Sequence, residues 1–310
     1  MISGGGYQAA RERAASIDRS ERGRIVVSGA DRASYLQGLL TNDVVALKAG
    51  EGCYSAYLTP QGRMIADLFV YELGDAILLT VPRPQTGAVL EKLDRLVFSE
   101  DVQLGDASDA FATTAIVGPE AARMVSGVTG IPESELAALP EHGNRRGQVD
   151  GHAAVVTRVT DTGESGYDVH VEAPGAGRLR QLLDEAGVPP LPAETAEALR
   201  IEAGVPAFNR DLDEETIPLE AGIESRAISF SKGCYVGQEV IIRVLHRGHG
   251  RVARKLVGLV CGGESAPAAG AVVSVDGRSI GQVTSSAISV GLKTPIALAY
   301  AGHQFGGFSP

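Results

Sequence analysis

Three alternating apolar runs follow one another with almost no chain between them: Cys53–Leu58, Arg63–Tyr71 and Ala76–Val81, joined by TPQG and ELGD. Those connections are turn chemistry, too short for a helical crossover. A helix is predicted next, from about Pro84 to Phe98, with Val89, Leu93, Leu96 and Val97 on one face, and Val102–Leu104 is read as a further strand. A β-β-β-α-β order of this kind excludes a doubly wound parallel sheet and makes the chain an α+β protein. Upstream, Arg24–Ser28 reads as a strand, and a helix is expected from Asp31, whose carboxylate is placed to accept from first-turn amides. Residues before about Ile17 read as frayed.

Downstream, Ala112–Val117, Ala154–Val159 and Tyr167–Val171 read as strands, with EHGNRRGQ and DTGESG as loops. Helices are predicted at Gly177–Ala186, Ala193–Ala203 and Val236–His246, the second opened by Pro192 and closed by Gly204, the third stopped by Gly248. From Arg251 the texture changes to short β-branched runs separated by Gly and Pro, which predicts a small barrel-like β domain. The expected division is a module over 18–248 and a β-barrel over 249–310.

The formal net charge of -10 argues against nucleic acid as a partner. No apolar run is long enough to cross a membrane and the N-terminal stretch lacks the apolar core of a signal peptide, so a cytoplasmic protein without a membrane partner is expected. The three cysteines, Cys53, Cys234 and Cys261, are scattered and form no CxxC pair, so neither a disulfide framework nor a metal site is indicated.

The sharpest motif is SFSKGCYVGQEVIIRV, residues 229–244. It sets Lys232, Gly233 and Cys234 just ahead of a predicted helix whose first turn carries Gln238 and Glu239. Free amides there favour an anion or a thiolate. On physics alone the plainer reading is a tight corner around a buried cysteine. Glu164 in DTGESGYDV reads unaided as part of an acidic hairpin. Arg200 in ALRIEAG can hold a ligand carboxylate or pair with Glu197 or Glu202. His246 and His249 sit in a basic stretch with Arg247, Arg251 and Arg254 that suits an anion better than a metal.

The segment KGCYVGQE resembles the K-G-C-[FY]-x-G-Q-E signature of the YgfZ family, relatives of the aminomethyltransferase of the glycine cleavage system. LQGLLTNDV, YLTPQGRMIADLFVY, TRVTDTGESGYDV and RIEAGVPAFNRDLDEETIPLEAG resemble the same family in the same order. The resemblance implies two intertwined α+β subdomains around a folate channel, followed by a small β-barrel. It implies tetrahydrofolate or a one-carbon derivative as ligand, with Glu164 touching the pterin and Arg200, Lys232, Gly233, Tyr235, Gln238, Glu239 and Asp67 around it. It implies Cys234 as the working thiol and, as function, support of iron–sulfur cluster assembly or repair, with iron–sulfur enzymes or assembly proteins as transient partners. The alternative is a folate-dependent aminomethyltransferase or demethylase. The glycine-cleavage enzyme carries paired aspartates where this chain has Ala66 and Asp67, so the expectation is that the functional carboxylate is the missing one and that glycine-cleavage turnover is absent.

Overall fold

The computed structural model describes residues 4–246 and 251–302. The chain opens with α1 (Gly4–Glu12), β1 (Ala15–Asp18), β2 (Arg22–Ser28) and α2 (Arg32–Leu39). β3 (Gly52–Leu58), β4 (Met64–Glu72) and β5 (Ile77–Pro82) follow, then α3 (Thr86–Asp94) and β6 (Gln103–Asp106). The next unit is β7 (Phe111–Val117), α4 (Ala121–Thr129), α5 (Glu133–Ala137), β8 (Asn144–Val149), β9 (His152–Val159), β10 (Gly166–Glu172) and α6 (Ala176–Glu185). α7 (Ala193–Glu202), α8 (Pro218–Ala221), α9 (Glu224–Ala227) and α10 (Gln238–His246) lead to β11 (Arg254–Val260), β12 (Val272–Val275), β13 (Arg278–Ser289) and β14 (Thr294–Gly302).

Two five-stranded antiparallel sheets, ordered β3-β4-β5-β2-β6 and β1-β7-β10-β9-β8, make the body. Strand alternation explains their placement. Ala66, Leu68 and Val70 of β4 share an apolar core with Ile25, Leu79, Leu36 and Val89, so one face of the first sheet is sealed by α2 and α3. Tyr167, Val169 and Val171 of β10 do the same for the second sheet with Val125, Leu136 and Leu179 of α4, α5 and α6. The two remaining faces turn toward each other, and the side chains they carry are largely polar or aromatic.

The segment from Phe208 to Val252 returns to the first sheet. Leu219, Ile223, Ala227, Tyr235 and Ile241 form one core with Tyr54, Leu58 and Met64 of β3 and β4. This return interleaves late chain with early chain, as expected. The last four strands form an antiparallel sheet, β11-β14-β13-β12, packed on α7 through Ile201, Ile296 and Leu298. Among the described residues its edge strands β11 and β12 do not pair with each other.

Several expectations need correction. The start of the chain is α1 and β1, with β1 paired to β7. EHGNRRGQ contributes an edge strand, β8, paired to β9. Asp31 does not cap its own helix; its Oδ2 accepts from the Asp101 amide while Asp101 Oδ2 accepts from the Ala30 amide. α3 stops at Asp94, leaving Phe98 82% exposed. The stop at Gly248 lies outside the described residues.

Candidate functional site

Where the two sheets face each other lies a buried seam. β4 sends in Asp67, Phe69 and Tyr71, neighbours by the period of two, and β3 sends in Tyr54. β2 adds Arg22 and Arg24, and β10 adds Asp168 and His170. The rings run in sequence: Tyr54 to Phe69 at 5.1 Å, Phe69 to His142 at 5.1 Å, Phe69 to Tyr71 at 6.3 Å and Tyr71 to His170 at 6.2 Å between centroids. Arg22 lies 5.0 Å over Phe69 and Arg226 lies 5.6 Å over Tyr54, both within cation–π range.

Asp67 is 5% exposed and accepts from the Tyr54 hydroxyl at 3.0 Å, with Arg22 Nη1 3.9 Å away. Asp168 lies 3.6 Å from Arg19 Nε, while Arg19 binds Asp161 at 2.7 Å. Burial pushes the Asp168 carboxyl up to about 6, with the Arg19 charge pulling the other way. Burial also holds the imidazoles neutral, His142 down to about 4 and His170 down to about 3. His170 shares Nδ1 with Thr113 Oγ1 at 2.8 Å, and Arg24 donates to that same hydroxyl at 2.6 Å, tying the sheets together. Asp67 Oδ1, Asp168 Oδ1, Arg19 Nε and His142 Nδ1 are enclosed without a hydrogen-bond partner. Native interiors leave few such groups. Four around one ladder of rings suit a flat ligand that brings its own donors and acceptors.

This geometry reverses the reading of the Ala66–Asp67 pair. Ala66 belongs to the apolar core on the helix side, so a second carboxylate there would face away from the seam. The retained Asp67 points inward and is no solvent-facing strand residue. The ground for expecting lost turnover is therefore removed.

Glu164 lies in a separate polar network. It accepts from Arg11, which also binds Glu202, and Glu202 accepts from Tyr7 and Ser289 hydroxyls. That network fastens α1 to the β9–β10 loop, α7 and the last sheet. The carboxylate that the same motif, DTGESGYDV, delivers to the seam is Asp168. Strand period supplied the missed signal, since Asp168 and His170 alternate with the core residues Tyr167, Val169 and Val171. Glu164→Gln is accordingly expected to leave ligand affinity unchanged. Asp168→Asn carries a different expectation. Its folded pKa lies above the unfolded value of 3.8, so the folded state holds the extra proton and the native carboxylate costs stability as pH rises from about 4 to 6. Asn should be more stable than wild type by about 3 kcal/mol at pH 7.5, with the gain gone near pH 4. Thermal melts of both proteins across that range check it; equal melting points at pH 7.5 would refute it.

Arg200 takes the ion-pair reading. It binds Glu197 through Nε at 2.9 Å and Nη2 at 2.6 Å, Asp211 at 2.7 Å and Ser285 at 3.1 Å, clamping α7 to the 205–212 loop and β13. Arg254 is spent on Glu220 and on the face of Tyr300, while Arg247 and His249 lie outside the described residues.

The cysteine motif also divides. Cys234 is exposed, but Lys232 does not serve it. Lys232 Nζ donates at 2.7 Å to each of the carbonyls of Gln37, Leu40 and Asn42, at and just beyond the end of α2. Burial pushes this ammonium down to about 8, and its charge bears on Cys53. Tyr235 is a core residue beside Lys232, its hydroxyl pushed up to about 12 by burial. Gly233 is exposed, and a Cβ added there would meet nothing within 4 Å. Gly237 has φ +85, and a Cβ on it would lie 2.6 Å from Thr59 O; it lets α10 dock on the β3–β4 turn. Gln238 and Glu239 open α10, Glu239 exposed.

With this geometry described, similarity to known proteins carries weight. Residues 3–232 match the GCVT N-terminal domain model and residues 254–306 the glycine cleavage T-protein C-terminal barrel domain model. The chain is 34% identical over 294 residues to an aminomethyltransferase of Rubrobacter xylanophilus, covering 95% of this chain and 77% of that protein. It is 33% identical over 300 residues to the aminomethyltransferase of Streptomyces avermitilis, covering 95% and 80%. A crystal structure of glycine cleavage system aminomethyltransferase T from Bartonella henselae superposes with a TM-score of 0.86 at 24% identity, covering 96% of this chain and 81% of that one, and shows the shared fold. An α+β body with an interleaved late segment and a small β domain, matched by both family models, places this chain in the glycine cleavage T-protein family.

Proposed function

We propose that the protein binds a reduced folate in the seam and acts as a folate-dependent one-carbon transferase of the aminomethyltransferase type, with 18–248 as the ligand-binding module and 249–310 as an accessory β domain. The observation that carries this is the set of enclosed polar atoms of Asp67, Asp168, Arg19 and His142 that make no hydrogen bond, at a seam that also holds a ladder of aromatic rings. A pterin is flat, stacks on aromatic rings, and presents an amino group and a ring N–H side by side to a carboxylate. Tetrahydrofolate, when bound, supplies the ring nitrogen that takes up the carbon unit. Asp67 is placed to accept a proton or hold positive charge as it develops, with the Tyr54 hydroxyl fixing its rotamer. Asp168 is placed to orient the pterin. Exclusion of water between the sheets strengthens both effects.

Calorimetry with tetrahydrofolate tests the binding step, with saturable heat expected and a thermal upshift that grows with ligand. Absence of both at millimolar ligand removes the proposal. A transfer assay with an aminomethylated carrier and tetrahydrofolate tests the reaction class.

A second reading rests on one observation, the exposed Cys234 in SKGCYVGQE. It keeps the folate site and assigns the chain to YgfZ-type support of iron–sulfur enzymes, the thiol reacting transiently with a partner. Cys234→Ser decides between the two. If transfer persists in the variant while iron–sulfur enzyme activities in cells fall, the second reading stands. If both are unchanged, the thiol has no part in either.

A further inference from the structure

We infer that His142 contacts the ring system of the bound ligand and is a specificity-determining residue of the seam. The inference rests on the seam being the folate site. Its grounds are independent of the two carboxylates. Five non-glycine residues among the described ones have positive φ. Asp150, Asn209, Asp276 and Lys293 are exposed, and three of them are short polar types that tolerate the left-handed region. His142, at φ 63, is the buried one. It occupies the third position of the turn Pro140–Gly143, closed by the Gly143 amide donating to Pro140 O at 2.9 Å. A left-handed residue at that position calls for glycine. The surroundings hold the strain in place. The His142 amide donates to Arg158 O at 3.2 Å, and β3 approaches so closely at Gly52 that a Cβ there would lie 2.4 Å from His142 O.

That strain brings the imidazole against Phe69 with Nδ1 enclosed and unbonded. Nε2 lies 3.6 Å from Glu141 Oε1, and Glu141 is already engaged by the Thr160 hydroxyl at 2.8 Å and Arg226 at 3.3 Å. A backbone held off its preferred region, delivering a partnerless ring nitrogen to a ladder of rings, is how a site stores strain for recognition. A neutral imidazole offers one nitrogen as donor and the other as acceptor, which matches the alternating edge of a pterin.

Two variants separate recognition from structure. His142→Gly supplies the residue that the backbone prefers and removes the ring. His142→Asn tolerates the left-handed region and places an amide atom close to where Nδ1 lies. The wild type and both variants are titrated calorimetrically with tetrahydrofolate and melted without ligand. The expected result is a His142→Gly protein at least as stable as wild type that binds at least about tenfold more weakly, with Asn recovering most of the loss. In the transfer assay the loss should fall on KM, with kcat retained. Affinity unchanged in both variants overturns the role of His142 and leaves the seam standing. Affinity lost only in step with melting temperature makes His142 structural and overturns it as well. A wild type that binds no tetrahydrofolate overturns the seam assignment and this inference together.

Discussion

Asp67→Asn is expected to lower folate-dependent one-carbon transfer by about 10²–10⁴-fold while the protein stays folded. The substitution is isosteric, so the Tyr54 hydroxyl keeps its acceptor and the β4 backbone is undisturbed. What is lost is the charge beside Arg22 and the ability to take a proton. Ala66→Asp makes the matching control. It restores the family's pair of aspartates in the sequence but buries the new charge among Ile25, Leu68 and Leu79, so it should destabilise the protein and add no activity. Transfer rates and thermal melts of both variants are the measurement. Full activity in Asp67→Asn, or increased activity in Ala66→Asp, would show that β4 has been read with the wrong face inward.

Lys232→Met is expected to unfold the protein more readily by about 3 kcal/mol or more, because three carbonyls lose their shared donor and an enclosed acceptor left unbonded costs about 1–3 kcal/mol. Methionine keeps the length and packing of the stem, so the loss isolates the ammonium. Because that ammonium is committed to the end of α2, alkylation of Cys234 should proceed at the same rate in variant and wild type. An unfolding free energy within about 1 kcal/mol of wild type, at equal slope, would mean that water replaces the ammonium and that the cage is dispensable. Faster or slower alkylation would return Lys232 to the thiol.

These two residues mark how far the sequence reaches. The strands β3, β4 and β5 were legible because short turns force neighbouring pairing and the apolar period is two. The same period puts Asp67, Phe69 and Tyr71 on one face. It could not show that this face is enclosed, because the element enclosing it, the second sheet, lies about a hundred residues away in the chain. β8 was missed because an edge strand with one exposed face, NRRGQV, needs little apolar content. α1 was missed because its Gly-rich start has poor helix propensity, while its place is fixed by Arg11 binding two distant glutamates. The motif around Cys234 marked the corner that opens α10 as a piece of chain. It could not assign Lys232, since the acceptors of that ammonium are carbonyls, which no side-chain pattern records.

The return of residues 208–252 to the first sheet has a consequence for how the protein is made. Thr41 donates to the Ala227 carbonyl and Lys232 to the carbonyl of Leu40, contacts 186 and 192 residues apart in sequence. While the ribosome is still adding the second sheet, Tyr54, Leu58 and Met64 have no apolar cover, because their partners have not been synthesised. The nascent first sheet must therefore wait, exposed and pairing-competent, until the chain has passed α10. Chains terminated before that helix should be recovered as aggregates or chaperone clients.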